Sequence, residues 1–160
     1  MKPPHIAFGK ITALEPVCLR ATVPEAYRDN NGHMNARWYL ALFDDASDAL
    51  HEWIGLTPEY HAAHHTGTMD LEHHIHYLNE VMPGEVVTVY VRFVGSSSKH
   101  LHYLMFLVDD TRGRTWRPRW NASTHLPIWS GARRRHFRRK RAAKIAAGLA
   151  VHGGWTGRRQ

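Results

Sequence analysis

Apolar residues recur at steps of three and four through Tyr39, Leu42, Phe43, Ala46, Ala49, Leu50, Trp53 and Ile54, while Asp44, Asp45, Asp48 and Glu52 fall between them. On a helix this spacing makes one continuous apolar stripe with an acidic face opposite. Asn35 suits an N-cap and Gly55 suits the residue past the last turn, so the pattern predicts a helix over about residues 36–54. Elsewhere the period is two. Val17, Leu19, Ala21 and Val23 alternate with Cys18, Arg20 and Thr22, which predicts a short strand over 16–23. In 68–81, Met69, Leu71, Ile75 and Tyr77 share one strand face and Asp70, Glu72, His74 and His76 the other. Strands are also predicted over 86–94 and 99–108, with turns at 82–85, 95–98 and 109–113, and the His-rich stretch 57–67 reads as a loop. One long helix and a run of antiparallel strands predict an α+β fold in which the sheet wraps the helix to make a core.

A chain of 160 residues suits one domain with a real core. Its apolar runs are too short to span a bilayer, and the first ten residues lack the apolar stretch of a signal peptide. Cys18 is the only cysteine, so an internal disulfide and a cysteine metal cluster are excluded. A cytoplasmic location without a membrane partner is expected. The charge is split along the chain. Residues 1–110 hold 7 Lys and Arg against 14 Asp and Glu, whereas residues 111–160 hold 14 Lys and Arg and no acid. An acidic body with a basic tail admits contact with nucleic acid, although the body offers no basic face to accompany it.

The densest chemistry lies just before the long helix. Asp29 sits in the polar turn Asp29-Asn30-Asn31-Gly32, and His33 and Asn35 follow within the same few residues. Backbone N–H groups at a helix start lack intrahelical partners and carry partial positive charge, so they can polarise a carbonyl or hold an oxyanion. A carboxylate beside them could attack a polarised carbonyl carbon or orient a water to do so. Gly32 would let the backbone approach a ligand closely. The same residues also suit an ordinary turn followed by an N-cap.

The stretch Tyr27-Arg28-Asp29-Asn30-Asn31-Gly32-His33-Met34-Asn35, continued by Trp38-Tyr39-Leu40, resembles the D-x-x-G-H-x-N-x-x-Y-L signature of the 4-hydroxybenzoyl-CoA thioesterase-like hotdog family. Leu71-Glu72-His73-His74-Ile75-His76-Tyr77-Leu78, followed by Pro83-Gly84-Glu85, resembles that family's next strand and turn. The resemblance covers roughly residues 15–110 and is nearest to the thioesterases of carnitine and betaine breakdown, the betainyl-CoA thioesterases. It implies a hotdog fold, a long central helix wrapped by a curved antiparallel sheet, in a homodimer or homotetramer with active sites between subunits. It implies hydrolysis of a small acyl-CoA thioester, with CoA as part of the substrate and no cofactor or metal. Asp29 falls on the family's catalytic carboxylate, and the amides near Asn35 and Ala36 fall where the thioester carbonyl is polarised. His33, Asn35 and Glu72 join Asp29 as candidate catalytic residues, although Glu72 could equally be a structural partner. A non-catalytic acyl-CoA-binding or dehydratase-like relative is the alternative, and nucleic-acid binding through the tail is a third.

Fourteen histidines invite a metal hypothesis, but no H-E-x-x-H pattern is present, and solvated or interfacial histidines are the simpler expectation. His74, near Glu72, is a candidate substrate contact. Lys99 is a candidate for the phosphates of CoA, or a surface lysine after a Ser-rich turn. Trp38, Tyr39, Trp53 and Tyr60 could box a trimethylammonium acyl group. Tyr39 and Trp53 lie on the apolar stripe and are expected in the core, which leaves Trp38 as the better candidate for a site or interface.

Past Gly113 the family pattern breaks. A last apolar strand is expected, but the chain reads Arg114-Thr115-Trp116-Arg117-Pro118-Arg119-Trp120, and a basic run follows over 133–141. Proline in mid-strand removes a ladder hydrogen bond. Two readings stand: a basic arm, or a shifted reading frame over about 114–141. With permitted codons, the frame opening on the third base of the Gly113 codon can spell Glu-Asn-Leu-Ala-Thr-Ala-Val-Glu-Cys-Ile-Tyr-Pro, the composition of the missing strand. The expected organisation is therefore a hotdog domain over 1–113 and a basic segment over 114–160 ending in a short helix at about 142–152.

Overall fold

The structure is a computed structural model that describes residues 8–97, 100–111, 120–130 and 140–152. A short helix α1 (Phe8–Ile11) precedes strand β1 (Val17–Thr22) and a 3-10 turn at Glu25–Tyr27. The long helix α2 (Ala36–Trp53) follows, then α3 (Pro58–His64), β2 (Gly67–His76), β3 (Val86–Ser96), β4 (Leu101–Asp109), β5 (Trp120–Ser130) and α4 (Lys140–His152). The strands form one antiparallel sheet in the order β1-β3-β4-β5-β2, with β1 and β2 at its edges.

Helix α2 lies where its stripe predicts. Asn35 caps it by accepting the Arg37 N–H at 3.1 Å, and Gly55 follows its end at φ +85°, a conformation that suits glycine. Tyr39, Leu42, Phe43, Ala46, Leu50 and Ile54 are buried against Val87, Val89, Val91 and Phe93 of β3 and Leu101, Tyr103, Met105 and Leu107 of β4. The sheet thus wraps the helix, and Asp44, Asp45, Asp48 and Glu52 face out. A buried hydrogen bond of 2.7 Å between the Ser47 and Tyr103 hydroxyls ties the helix to mid-sheet. On the other sheet face, Ile11 of α1 packs with Phe106 and Val108.

Three expectations change. The stretch 57–67 is not all loop: Thr57 accepts the Tyr60 N–H at 3.2 Å and Pro58 occupies the first turn of α3, a start signal the histidines obscured. The strand expected over 68–81 ends at His76, and a bulge between Asp70 and His73 breaks its alternation. Asp70 and His73 therefore bond each other at 2.7 Å, and Met69 and Leu71 are exposed while Ile75 packs on the core. Last, the sheet runs past the domain boundary expected at residue 113, because β5 pairs with both β4 and β2. Its Pro127, which has no N–H to give, pairs with Asp70 at the margin of that bulge, where the ladder is already interrupted. Pro118 lies outside the described residues, as does most of the basic run.

Helix α4 packs on β3. Ile145 is buried, and Gly148 lies so close to the Phe93 ring that a Cβ there would sit 2.4 Å from Phe93 Cδ2. Trp53, expected in the core, is 38% exposed; it stacks toward Phe93 and lies under the Lys144 ammonium. Among the described residues, no helix is long and apolar enough to cross a membrane, and no group of three or more His, Cys, Asp or Glu side chains could hold a metal ion.

Candidate active site

The Asp29 loop closes on itself before α2 begins. Arg28 and Met34 form an antiparallel bridge, the Asp29 N–H donates to the His33 carbonyl at 2.8 Å, and the Asn35 N–H donates to the Tyr27 carbonyl at 2.9 Å. Gly32 turns the chain at φ +86°, with its N–H on the Asp29 carbonyl at 3.1 Å. Arg28 braces the outside through an ion pair with Glu25 and a 2.9 Å bond to the Gly32 carbonyl. The Asp29 carboxylate is fixed from within: Oδ1 accepts the Asn31 N–H at 2.7 Å and the His33 N–H at 3.2 Å. Oδ2 has no partner among the described residues, so a half-buried carboxylate keeps one oriented oxygen for other work.

A second segment, 77–81, is drawn against this loop. The Met34 N–H donates to the Val81 carbonyl at 2.7 Å. The Tyr39 hydroxyl accepts the Val81 N–H at 3.0 Å and donates to the Asn79 carbonyl at 3.3 Å. Burial, with the carboxylates of Glu80 and Glu85 adding to it, pushes the Tyr39 phenol up to about 12, so it remains a donor at neutral pH. Between loop and segment lies a cavity of about 380 Å³, lined among others by Asp29, His33, Ala36, Tyr39, Tyr77 and Glu80. His33 Nε2 and Glu80 Oε2 meet at 2.6 Å at this cavity. Tyr39 and Tyr77 stand edge to face, ring centroids 5.2 Å apart.

The helix-start amides are not equivalent. Arg37 N–H goes to Asn35 Oδ1, Trp38 N–H to the Asn35 carbonyl, and Asn35 N–H to Tyr27. Ala36 N–H has no acceptor among the described residues and belongs to a residue of the cavity wall. Of the two positions expected to polarise a carbonyl, Ala36 is thus the one with a donor to offer, and Asn35 serves as the cap.

The structure brings Asp29, His33, Ala36 and Tyr39 to one cavity, shaped by Gly32 and Asn35, and places the other candidates elsewhere. Glu72 and His74 pair with each other on an exposed part of β2 and do not line the cavity. Burial holds the His102 imidazole of β4 below its ordinary value, and the field of the Glu72 carboxylate opposes that shift. Trp38 stacks on Tyr27 at 3.9 Å, under the Arg37 guanidinium. Trp53 and Tyr60 are likewise absent from the cavity wall, so the expected aromatic box does not form from those residues. Lys99 lies outside the described residues. Tyr77 and Glu80 were missed. The period-two pattern assigned them to a strand, and only the turn signal Met82-Pro83-Gly84 hinted that the chain leaves the sheet before reaching it.

Residues 23–144 match the model of the thioesterase-like superfamily. The chain belongs to that superfamily. Among members with curated names, this thioesterase-like chain is 42% identical over 94 residues to an L-carnitine dehydrogenase/betainyl-CoA thioesterase of Agrobacterium fabrum, a match covering 58% of the chain and 19% of that protein. It is 36% identical over 81 residues to a betainyl-CoA thioesterase of Pseudomonas aeruginosa, covering 49% of the chain and 51% of that protein. The chain thus spans about a fifth of the first relative and about half of the second. A solved structure from Pseudomonas putida, assigned as a thioesterase, superposes with a TM-score of 0.71 at 26% identity, covering 91% of the chain and 95% of that one. The α+β hotdog architecture inferred from the sequence is the one these comparisons show.

Proposed function

We infer that this protein hydrolyses a small acyl-CoA thioester to the free acid and CoA. The observation that carries the reading is the pairing, at one cavity, of an oriented carboxylate with an unbonded helix-start amide. Asp29 Oδ2 takes a proton from a water as that water attacks the thioester carbon, or attacks the carbon itself to form a mixed anhydride that a water then hydrolyses to the free acid. The carbonyl oxygen gathers negative charge against Ala36 N–H, and the collapsing adduct releases the CoA thiolate, which takes up a proton. Buried Tyr39 keeps segment 77–81 in place, and His33 holds Glu80 at the cavity. The chemistry calls for no metal or cofactor. A betaine-like acyl group is the candidate the two named relatives suggest, and a cytosolic setting agrees with a chain of one cysteine.

A homo-oligomer, dimer or tetramer, is part of the same reading. Edge strand β2 exposes Met69 and Leu71, and Tyr77 just beyond it is 53% exposed beside the cavity. A second copy on this edge would cover them. Light scattering tests the assembly; a monomer at micromolar concentration overturns it. The activity is tested by following thiol release from a panel of acyl-CoA esters. Release by the wild type that Asp29→Ala abolishes, in a variant with an unchanged circular-dichroism spectrum, supports the mechanism. Unchanged turnover removes Asp29 from it.

A further inference from the structure

We propose that Tyr77 and Glu80 determine acyl specificity, by reading a quaternary ammonium group on the acyl chain. This rests on the hydrolysis reading and goes on to ask what the cavity selects. Two phenol rings stand edge to face in its wall, and a ring face attracts a cation through its quadrupole. Among the described residues two carboxylates line it, Asp29 and Glu80, with one imidazole, His33, paired to Glu80. The neighbouring guanidinium of Arg28 is turned to Glu25 and the Gly32 carbonyl. An acidic, aromatic cavity that also holds Met34 and Ala36 suits a group that is cationic at its centre and apolar at its rim. A trialkylammonium is such a group: it has no N–H to donate and is satisfied by π faces and diffuse negative charge. A carboxylated acyl chain would meet two like charges here, and a plain alkyl chain would forgo the attraction that the carboxylates and the ring faces offer a cation.

Segment 77–81 is tied by backbone groups, the Asn79 carbonyl and the Val81 N–H to the Tyr39 hydroxyl and the Val81 carbonyl to the Met34 N–H, and by the Glu80 carboxylate to His33. Tyr77 and Glu80 are both more than half exposed as single chains, so they can be replaced without opening the core. Neither side chain bonds Asp29, but Glu80 pairs with His33, whose backbone N–H donates to Asp29 Oδ1, so a ratio of two substrates and not a single rate reports selection.

The experiment compares betainyl-CoA with 3,3-dimethylbutanoyl-CoA, in which carbon replaces the quaternary nitrogen and shape is kept. The readout is the ratio of the two kcat/KM values. The wild type is expected to favour the cationic ester by on the order of tenfold, and Tyr77→Leu and Glu80→Gln each to lower that ratio on the order of three- to tenfold. Tyr77→Phe keeps the ring and should retain most of it. A wild-type ratio near one, or a ratio untouched by both Tyr77→Leu and Glu80→Gln, overturns the proposal while hydrolysis stands. If neither ester releases thiol, the hydrolysis reading falls, and calorimetric binding of the same two esters decides the proposal: tighter binding of betainyl-CoA sustains it, and equal affinity overturns it.

Discussion

Residues 27–39, on one side, and residues 120–130 and 140–152, on the other, are held in the fold by different kinds of contact. The first region is closed by hydrogen bonds among near neighbours: Asp29 to His33, Asn31 to Asp29, Arg37 to Asn35. The second has long-range attachments, with β5 threaded between β4 and β2, and α4 seated on Phe93 through Gly148. The first belongs to the acidic part of the chain and the second to the basic part. A locally closed loop states its geometry in its own sequence, whereas a docked segment depends on partners far away. A motif can therefore be recognisable while the segment that completes the sheet is not.

The comparison is broken most forcefully at Asp29. If the local network exists to orient one carboxylate, Asp29→Ala should lower kcat on the order of 10²- to 10⁴-fold. Asp29→Asn can still accept from the Asn31 and His33 amides, so it should fold as well and be as inactive. Full activity in Asp29→Asn would reduce the loop to a turn that happens to precede a helix.

At the other end, Gly148 gives a test in which the sign decides. Gly→Ala in an exposed helix usually stabilises, by about 0.5–1 kcal/mol. Here the new Cβ would meet the Phe93 ring at 2.4 Å. Gly148→Ala should instead destabilise by about 1–3 kcal/mol in a denaturant melt, as overpacked sites do. Adding Phe93→Leu should recover part of the loss, since the two positions share the contact. A stabilised single variant would mean that α4 does not sit on β3.

Between the two regions, Tyr103 and Ser47 join sheet to helix in the core. Tyr103→Phe leaves the Ser47 hydroxyl buried without its 2.7 Å partner and should cost about 1–2 kcal/mol. Combining it with Ser47→Ala should cost less than the two single changes added together, because no polar group is then stranded. Additive losses would show that the pair is not coupled.

Legibility in the sequence followed the same division. Helix α2 could be read because its stripe, N-cap and terminal glycine agree, and strands β1, β3 and β4 because alternation and turns agree. Asp29, Gly32 and Asn35 were legible because a polar turn before a helix has few backbone solutions. Helix α3 was not legible because its seven His-rich residues carry no apolar stripe, and only Thr57-Pro58 marks its start. The faces of β2 were misread because a bulge shifts the period by one residue and leaves no mark in the alternation itself. Glu72 and His74 were carried to the site by motif position, but side-chain placement on that strand depends on the bulge. Tyr77 and Glu80 entered the cavity through a backbone detour fixed by Tyr39, a contact 40 residues distant. For residues 114–141 the coding DNA remains the direct check on the frame: a shifted frame that does not encode a strand-like segment removes that explanation of the basic run.

The smallest effect concerns the link between α2 and the cavity's second wall, and it is silent at neutral pH. Tyr39 is buried, and its phenol is raised from the ordinary 10.0 to about 12. In the unfolded chain it would ionise near its ordinary value. The folded state therefore holds the proton more tightly, and the stability this confers is fully present below about pH 10 and lost as pH rises toward 12. Tyr39→Phe removes the titrating group along with its bonds to Val81 and Asn79, so its absolute stability should fall at every pH. The informative quantity is the slope. Between pH 10 and 12 the wild type should lose stability more steeply than the variant, as measured by urea melts at fixed ionic strength. Parallel slopes would mean that the hydroxyl reaches water in the folded state, and that segment 77–81 is tethered to α2 less tightly than its two hydrogen bonds imply.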